Sequence, residues 1–261
     1  MRGVLRKKSR VLLYRNFGAE ACTCSQPESV LALGSTFSFQ AFKDENQRMK
    51  LVVISDTHGM HEKIPHIPDG DVLIHAGDSM GKGTLEQLEA LNEWLGRQPH
   101  RHKILVAGNH DWCFQDDPEE ARRRVTNAIY LEDSGTEIEG IRFWGSPWTP
   151  VFFDWAFNLP RGDALAERWA AIPDNTDVLI THGPPMNILD KVGERFGGQH
   201  VGCEALAERL TQLKLRAHLF GHIHESYGRE EIGRCLYVNA STCNGQFKPD
   251  NEPVVVDVGA A

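Results

Sequence analysis

Short apolar runs alternate with polar segments along most of the chain, and five of these runs are followed almost at once by aspartate, asparagine or histidine. The five runs are residues 51–54, 72–74, 104–106, 178–180 and 219–220. Runs this short and this continuously apolar are typical of strands that are buried on both faces of a sheet. The pattern therefore predicts buried strands whose carboxyl ends carry polar side chains.

Segments with a helical period separate these strands. A helix over residues 84–96 is predicted from apolar positions three and four residues apart, with Thr84 as its N-cap. Pro118 near the start of a second periodic segment predicts another helix over 118–125. Two more helices are predicted over 163–171, capped by Asp163, and over 202–215.

Glycine turns predict two hairpins, and a last strand follows them. The hairpins pair residues 136–139 with 141–145 and residues 229–232 with 235–239, and the strand covers 254–258. Early parallel strands, later hairpins and intervening helices favour an α/β fold. We expect two sheets packed face to face, with the helices outside.

The polar residues after the apolar runs form five motifs. They are Asp56-Thr57-His58, Gly77-Asp78, Gly108-Asn109-His110-Asp111, Thr181-His182-Gly183 and Gly221-His222-Ile223-His224. The carboxyl ends of such strands meet at one edge, where open α/β sheets hold their ligands. Carboxylate, amide and imidazole groups together suit Mn, Fe, Zn, Ni or Co better than a thiolate-seeking metal. We therefore predict a metal site with seven ligands: Asp56, His58, Asp78, Asn109, His182, His222 and His224.

Each motif alone has a simpler interpretation. Asp56 and His58 could form a solvated strand end, Asn109 a left-handed turn, and His182 an ordinary loop histidine. An unpaired Asp78 carboxylate beyond a buried strand would be costly, and a position between two cations removes that cost. All five motifs in order, each behind an apolar run, favour the metal site.

In this order the motifs resemble those of the calcineurin-like metallophosphoesterases: DxH, GD, GNH followed by an acid, H, and GHxH. The resemblance covers about residues 49–258. It is closest to the metallophosphoesterase-domain-containing branch, which is related to the class III cyclic-nucleotide phosphodiesterases and has similar segments at 155–162, 181–185, 201–203 and 222–225. The resemblance implies a four-layer α/β/β/α sandwich of two mixed β-sheets flanked by helices.

The resemblance also implies how the ligands divide. They form two sets that share Asp78: Asp56, His58, Asp78 and His224 for one ion, and Asp78, Asn109, His182 and His222 for the other. A hydroxide bridging the two ions would attack a phosphodiester in line. Two divalent or mixed-valence ions are expected, with manganese the best suited and Fe, Zn, Ni, Co or Mg as alternatives.

One histidine of the motifs is left over from ligation. His110 is expected to stabilise the transition state and to protonate the leaving oxygen. Asp111 would hold the imidazolium of His110 in place, or else would be a residue leading into a helix with no catalytic duty.

Three functions remain open on these grounds. The first is a metal-dependent phosphodiesterase acting on a small phosphoester, with cyclic nucleotides among the candidate substrates. The second is a small-molecule phosphomonoesterase, and the third is a non-catalytic scaffold with the same fold. The complete ligand set, together with His110, favours an enzyme.

Charge divides the chain at about residue 48. The whole chain has a formal net charge of −8, residues 1–48 carry +4, and residues 49–261 therefore carry −12. We expect residues 1–48 to be a disordered basic extension or an over-extended reading of the gene, and 49–261 to be the metallophosphoesterase domain. The acidic domain disfavours extended nucleic acid and anionic membranes as partners.

The lengths of the apolar runs and the spacing of the cysteines indicate the cellular compartment in which the protein is expected. No apolar run approaches the roughly 18 residues that cross a bilayer, and the six cysteines lack the spacing of a disulfide scaffold. A cytoplasmic protein with reduced thiols is expected. An organelle is the alternative if the arginine-rich start is a transit peptide.

Other residues carry weaker predictions. Four histidines are expected to face solvent: His61, His66, His100 and His102. His75 is expected to pack behind the site. Half of an aromatic run is expected to lie in the core, and a loop in this place could also stack a nucleobase; the run contains Phe152, Phe153, Trp155 and Phe157. Arg161 could meet a phosphate or brace a loop, His200 could line the pocket, and Glu225 could orient a ligand or face solvent.

Overall fold

The computed structural model describes residues 48–259. The strands in this part of the chain are β1 (Arg48–Ile54), β2 (Val72–Ala76), β3 (His102–Val106), β4 (Ile129–Leu131), β5 (Ser134–Ile138), β6 (Ile141–Ser146), β7 (Thr149–Pro150), β8 (Asn158–Leu159), β9 (Val178–Thr181), β10 (Ala217–Phe220), β11 (Gly228–Ile232), β12 (Cys235–Asn239) and β13 (Val254–Gly259). The α-helices are α1 (Leu85–Arg97), α2 (Cys113–Asp116), α3 (Pro118–Arg124), α4 (Asp163–Ala170) and α5 (Glu204–Leu210). Short 3₁₀ turns cover His61–Lys63, Glu194–Phe196 and His224–Ser226.

The strands form two large mixed sheets. The first has the order β13-β1-β2-β3-β4, and all its pairs are parallel except β13 with β1. The second has the order β11-β12-β10-β9-β6-β5, with parallel pairs in the middle and an antiparallel hairpin at each edge. A small parallel pair, β7 with β8, stands apart from both. The predicted pair of mixed sheets is confirmed.

Three apolar layers hold these sheets and helices together. Along β1, Leu51 and Val53 point into the core between the sheets, while Val52 and Ile54 point to the other face, where α1 to α3 pack. A third layer covers the outer face of the second sheet and includes Trp169 of α4. Both faces of the first sheet are therefore buried, which explains why its strands are continuously apolar. The four-layer α/β/β/α sandwich is confirmed.

The predicted helix over 84–96 is observed as α1. Thr84 is its N-cap, and the Thr84 hydroxyl accepts a hydrogen bond from the Gln87 amide at 3.3 Å. Leu88, Leu91 and Leu95 are fully buried against the first sheet. Such capping typically contributes about 1 kcal/mol, while most of a helix's stability comes from its buried face.

Two helix ends differ from the predictions. Asp163 is not the N-cap of α4: Gly162 holds that position with φ 90°, a conformation that glycine adopts without strain, and Asp163 is the first helical residue. Helix α5 ends at Leu210 rather than at residue 215. The chain tightens there, because the Gln212 amide donates to the Arg209 carbonyl three residues back.

Both predicted hairpins are observed. The first joins β5 to β6 through Glu139 and Gly140, which have φ of 50° and 84°, so Glu139 lies in the turn and not in the strand. The second joins β11 to β12, with Ile232 paired to Cys235. The predicted last strand is β13, which pairs antiparallel with β1.

Some predictions concern residues outside 48–259. The basic extension lies outside this range, except for Arg48, which begins β1. Cys22 and Cys24 also lie outside it. The thiols of Cys113, Cys203, Cys235 and Cys243 are free and buried. Within the described part of the chain, no helix is long and apolar enough to cross a membrane.

Candidate metal centre

All seven predicted ligands lie just past the carboxyl ends of strands. Three of these strands, β1 to β3, belong to the first sheet, and β9 and β10 belong to the second. The sheets are joined at this edge, where the Ser55 amide donates to the Ala240 carbonyl at 3.0 Å and Ser55 pairs with Ser241. The fold therefore brings the five motifs to one place.

The first group of ligand-type side chains contains Asp56, His58 and His224. Their ligand atoms all lie within 4.8 Å of one another. The Nε2 atoms of His58 and His224 face each other at 3.2 Å, and His224 Nε2 is 3.4 Å from Asp56 Oδ1. Each of these three side chains thus points a nitrogen or oxygen to a common centre.

The second group contains Asp78, His182 and His222, again within 4.8 Å. His182 Nε2 lies 3.3 Å from Asp78 Oδ1 and 3.0 Å from Asn109 Oδ1, so Asn109 joins this group. The other oxygen of Asp78, Oδ2, is 3.9 Å from His58 Nε2. The Asp78 carboxylate therefore lies between the two groups.

His110 lies beside both groups. Its Nδ1 is 3.1 Å from the Gly81 carbonyl and must donate to it, so Nε2 is the free nitrogen, 4.0 Å from Asp78 Oδ2. The ring stacks on Trp155, with centroids 4.2 Å apart, and the side chain is 19% exposed. Geometry also groups His110 with His58 and Asp78 as possible ligands. Metal content therefore has to be measured when His110 is changed.

The backbone at four of the predicted ligands is unusual. Asp56, His58, Asp78 and His222 all have positive φ, between 45° and 71°. Residues other than glycine rarely adopt this left-handed conformation, and each instance costs on the order of 1–3 kcal/mol. The surrounding structure therefore holds these four side chains in place against local strain.

Two glycines next to the ligands leave room for them. A Cβ on Gly221 would overlap the Asp56 carboxylate, and a Cβ on Gly108 would overlap the backbone amide and carboxylate of Asp78. Both glycines are thus required by close approach of the neighbouring motif. This accounts for the repeated glycine in the sequence pattern.

Hydrogen bonds outside the cluster orient the imidazoles. His182 Nδ1 donates to the Ala76 carbonyl at 3.1 Å, and His224 Nδ1 donates to the Asn244 carbonyl at 3.2 Å. Both rings therefore turn Nε2 inward, the arrangement that metal-binding histidines adopt when their other nitrogen is engaged.

Each sheet also contains a buried histidine that supports a ligand loop. His75 Nε2 is 2.9 Å from the Thr57 hydroxyl, which donates to the Ser79 carbonyl. His218 Nε2 is 2.8 Å from the Thr181 hydroxyl, which donates to the Gly183 carbonyl. Each hydroxyl has one proton, so each histidine must donate and is the neutral Nε2–H tautomer. Burial lowers the pKa of His218 to about 3, and burial with nearby histidines lowers that of His75 to about 3.

Electrostatics in the cluster keep the carboxylates charged. Burial raises the pKa of Asp56, but the hydrogen bond and charge of His224 outweigh it and hold the pKa well below its usual value. Burial likewise raises the pKa of Asp78, but the charge of His182 outweighs burial and holds this pKa below its usual value. Burial lowers the pKa of His222 to about 4, which leaves a neutral imidazole. In the metal-free chain the two carboxylates are therefore offset by His182 and His224, because, despite burial, Asp78 raises the pKa of His182 to about 9 and Asp56 raises that of His224. A metal ion would have to displace these protons, since only an unprotonated imidazole nitrogen binds a metal.

The contact between Asp111 and the His110 ring, one of the two alternatives for Asp111, is not formed. The Asp111 carboxylate accepts hydrogen bonds from the amides of Gly108, Ser79 and Met80 at 2.8–3.2 Å. It is fully buried, and burial together with the Asp78 charge raises its pKa to about 6. Asp111 thus ties together the loops that carry Asp78 and Asn109, and it acts on the site only through them.

Three supporting residues could not be identified from the sequence. Ser241 donates to Asp56 Oδ2 at 2.9 Å, Trp155 stacks on His110, and Phe247 lies 4.8 Å from the His224 ring, centroid to centroid. Ser241 and Phe247 follow β12 and no motif precedes them, and Ser241 is 185 residues from Asp56 along the chain. Trp155 belongs to the aromatic run, but its partner is a histidine and not the core.

The weaker predictions have mixed outcomes. His75 packs behind the site as expected, whereas His61 and His100 are buried and the prediction that they face solvent is wrong. Arg161 braces a loop, because its guanidinium donates to Val201, Gly202 and Glu204.

His200 and Glu225, two other residues with weaker predictions, each pair with a charged neighbour. His200 binds Asp190 at 2.5 Å, and Glu225 pairs with Arg195 at 3.4 Å.

The donor set fits metal ions. Asp56 Oδ1 is buried and accepts no well-formed hydrogen bond, although a buried carboxylate oxygen normally has a partner. The Nε2 atoms of His58 and His224 face each other at 3.2 Å, and both can give an electron pair to a cation once neither carries a proton at Nε2. A cation between these atoms would satisfy all three, and mixed oxygen and imidazole donors suit first-row divalent metals.

Comparison with known proteins identifies the family. The family model described as calcineurin-like phosphoesterase matches residues 49–226, more than half of the chain. This chain belongs to the calcineurin-like phosphoesterases. It is therefore a metal-dependent phosphoesterase, and the family expected from the motifs is confirmed.

Several relatives of this phosphoesterase are described by name. Metallophosphoesterase domain-containing protein 1 of Homo sapiens is 42% identical over 233 residues, which cover 80% of this chain and 71% of that protein. The 3′,5′-cyclic adenosine monophosphate phosphodiesterase CpdA of Escherichia coli is 25% identical, with 77% and 78% covered. A crystal structure from Thermus thermophilus superposes with a TM-score of 0.55 at 16% identity, covering 75% of this chain and 90% of the other. This last likeness supports the fold.

The buried His218 of the phosphoesterase predicts a specific dependence of stability on pH. Its pKa of about 3 lies below the ordinary value of 6.5, so between these values the unfolded chain binds a proton that the folded chain does not. The free energy of unfolding therefore falls as pH falls, by about 1.4 kcal/mol per pH unit from this group. In His218→Gln, the loss between pH 6.5 and 4 should be smaller by about 3 kcal/mol.

Urea unfolding of metal-free protein at a series of pH values measures this difference. His66→Gln, at an exposed position, is the matched control and should follow the unmodified chain. Coincident curves for His218→Gln and the unmodified chain would contradict a buried neutral His218.

Proposed function

We propose that the chain hydrolyses phosphodiesters with two metal ions bound in the cluster. The observation that carries this proposal is the position of Asp78, whose two carboxylate oxygens face the two groups of ligand-type side chains. A carboxylate so placed can serve two cations at once, and two cations offset the charges of Asp56 and Asp78 in a buried site.

The ligands of the two proposed ions share Asp78. One ion would be held by Asp56, His58, Asp78 and His224, and the other by Asp78, Asn109, His182 and His222. When bound, such ions supply Lewis acidity and an activated water at neutral pH. No serine or cysteine nucleophile is needed.

His110 is the proposed acid. Because Nδ1 donates to the Gly81 carbonyl, any second proton on the ring is carried at Nε2, which faces the cluster. Stacking on Trp155 fixes the plane of the ring, and partial exposure allows the proton to be replaced from solvent. A proton passing from Nε2 to the leaving oxygen would neutralise the alkoxide as it forms.

Charge favours a diester over a monoester as the substrate. A monoester dianion gains most from arginine or lysine side chains around its oxygens. Beside the cluster, however, Arg161 is bound to Glu204 and two carbonyls, and Arg195 is bound to Glu225 and the Gly245 carbonyl. A singly charged diester matches this supply of positive charge better. The printed name of the CpdA relative, a cyclic-nucleotide phosphodiesterase, makes cyclic nucleotides worth testing.

A substrate panel tests the proposal. Protein reconstituted with Mn²⁺ is assayed on an aryl phosphodiester, an aryl phosphomonoester, and 2′,3′- and 3′,5′-cyclic nucleotides. We expect the diesters to have the higher kcat/KM, and metal-free protein to be inactive. Asp78→Asn should lose at least about a hundredfold in activity, more than the 10–100-fold typical of residues outside the ligand sphere.

Asp257→Asn is the matched control for that substitution, because Asp257 is an exposed aspartate on β13. It should keep full activity. A higher kcat/KM on the monoester would replace the diesterase by a phosphomonoesterase, and no turnover of any substrate would favour a scaffold.

His110→Ala separates proton donation from metal binding. The metal content should stay unchanged, while kcat on a diester with a poorly acidic leaving alcohol should fall by about 10²–10⁴-fold, the usual contribution of general acid catalysis. A nitrophenolate leaving group needs little protonation, so the loss on a nitrophenyl diester should be smaller. Metal analysis and the two kcat values are the measurements.

Exposed His66→Ala serves as the control and should leave both kcat values intact. Equal losses on the two diesters would show that His110 stabilises charge and donates no proton. A lower metal content would make it a ligand.

A further inference from the structure

An open apolar groove of about 450 Å³ adjoins the metal cluster. His222 and His224 form part of its wall, so the groove opens directly onto the ligands. The Phe247 ring links the two, because it lines the groove and its centroid is 4.8 Å from that of His224 and 5.3 Å from that of His58. Anything bound in the groove would therefore lie next to a phosphoryl group held at the cluster.

Exposed aromatic side chains are concentrated in this groove. Phe152, Phe153, Phe196 and Phe247 are 55–77% exposed and all line it. Of the eight large apolar side chains exposed among residues 48–259, five line the groove when Val151 is included. Singly scattered apolar residues are ordinary on a surface, but a contiguous patch marks a binding site.

The two arginine side chains at the groove are already engaged in hydrogen bonds. Arg161 donates to Val201 and Gly202, and Arg195 donates to the Gly245 carbonyl. An occupant would therefore meet ring faces and hydrocarbon, with few free donors or acceptors to read its polar edges. This favours an apolar group over one recognised by hydrogen bonds.

We propose that the groove is the subsite for the ester group of the substrate, and that it selects an aryl or hydrocarbon group. The inference rests on the proposed phosphoesterase site for the position of the phosphorus. It adds the substrate class: phosphoesters of apolar alcohols, with the aromatic rings of Phe152 and Phe153 covering the apolar group.

Binding of two phosphonates tests this without turnover. Calorimetry on Mn²⁺-loaded protein gives the dissociation constants of methylphosphonate and 1-naphthylphosphonate, which share the anionic group and differ in the apolar one. The naphthyl compound should bind about tenfold or more tightly, as burial of an aromatic group predicts. In the double variant Phe152→Ala and Phe153→Ala, this ratio should fall several-fold.

The control is Ile232→Ala, which removes another exposed apolar side chain, on the hairpin strand β11 and away from the groove. It should keep the ratio of the unmodified chain. Equal ratios in all three proteins would overturn the proposal. A second result would also overturn it. If the unmodified chain sediments as a dimer, and the double variant sediments as a monomer with an unchanged ratio of dissociation constants, the groove binds a second copy of the chain.

Binding of the neutral probe 1-naphthol to metal-free protein separates this inference from the proposed function. Fluorescence should show naphthol bound to the unmodified chain and bound more weakly by the double variant. If naphthol binds in this way but no phosphoester is hydrolysed, the proposed groove stands and the proposed phosphodiesterase activity is contradicted. If phosphoesters are hydrolysed but naphthol does not bind, the proposed enzyme activity stands and the proposed apolar subsite is contradicted.

Discussion

Two carboxylates, Asp56 and Asp78, are buried where the edges of the two sheets meet, and the rest of the site is arranged around their charge. Asp56 accepts hydrogen bonds from the His222 amide and the Ser241 hydroxyl, and Asp78 accepts one from the His110 amide at 2.7 Å. Neutral surroundings would not keep two such carboxylates ionised. The donors and imidazoles reduce the cost, and Asp56 Oδ1, which has no well-formed hydrogen bond and only His224 Nε2 at 3.4 Å, leaves room for a cation to complete the balance.

Holding these groups together requires local strain, which the sandwich offsets. Four ligand-type residues have left-handed backbone, and their loops are fixed from behind by Asp111 and by the buried His75 and His218. Each of these three residues forms hydrogen bonds with a backbone group or with a threonine of a motif, and none of them reaches a substrate. Rigid support of this kind is what keeps converging ligands in one geometry. Stability of the sheets and chemistry at their edge are therefore linked.

Much of this arrangement could be predicted from the sequence, because strand, glycine and ligand are neighbours along the chain. The sheets, α1, both hairpins and the convergence of the motifs follow from such local patterns. Features set by distant contacts could not be predicted. Ser241 meets Asp56 across 185 residues, and Trp155 stacks on a histidine from another loop. The direction of the Asp111 side chain and the end of α5 at Leu210 depend likewise on packing around them.

Counting and coupling the metal ions tests the central claim, that both groups bind an ion through a shared Asp78. Protein loaded with Mn²⁺ is freed of excess metal, analysed by mass spectrometry for manganese per chain, and examined by electron paramagnetic resonance. Ions sharing a carboxylate are about 3.5–4 Å apart in such sites, close enough for their spins to couple. The account predicts two ions per chain with an exchange-coupled signal. One ion per chain in fully active protein, or two ions with uncoupled signals, would contradict it.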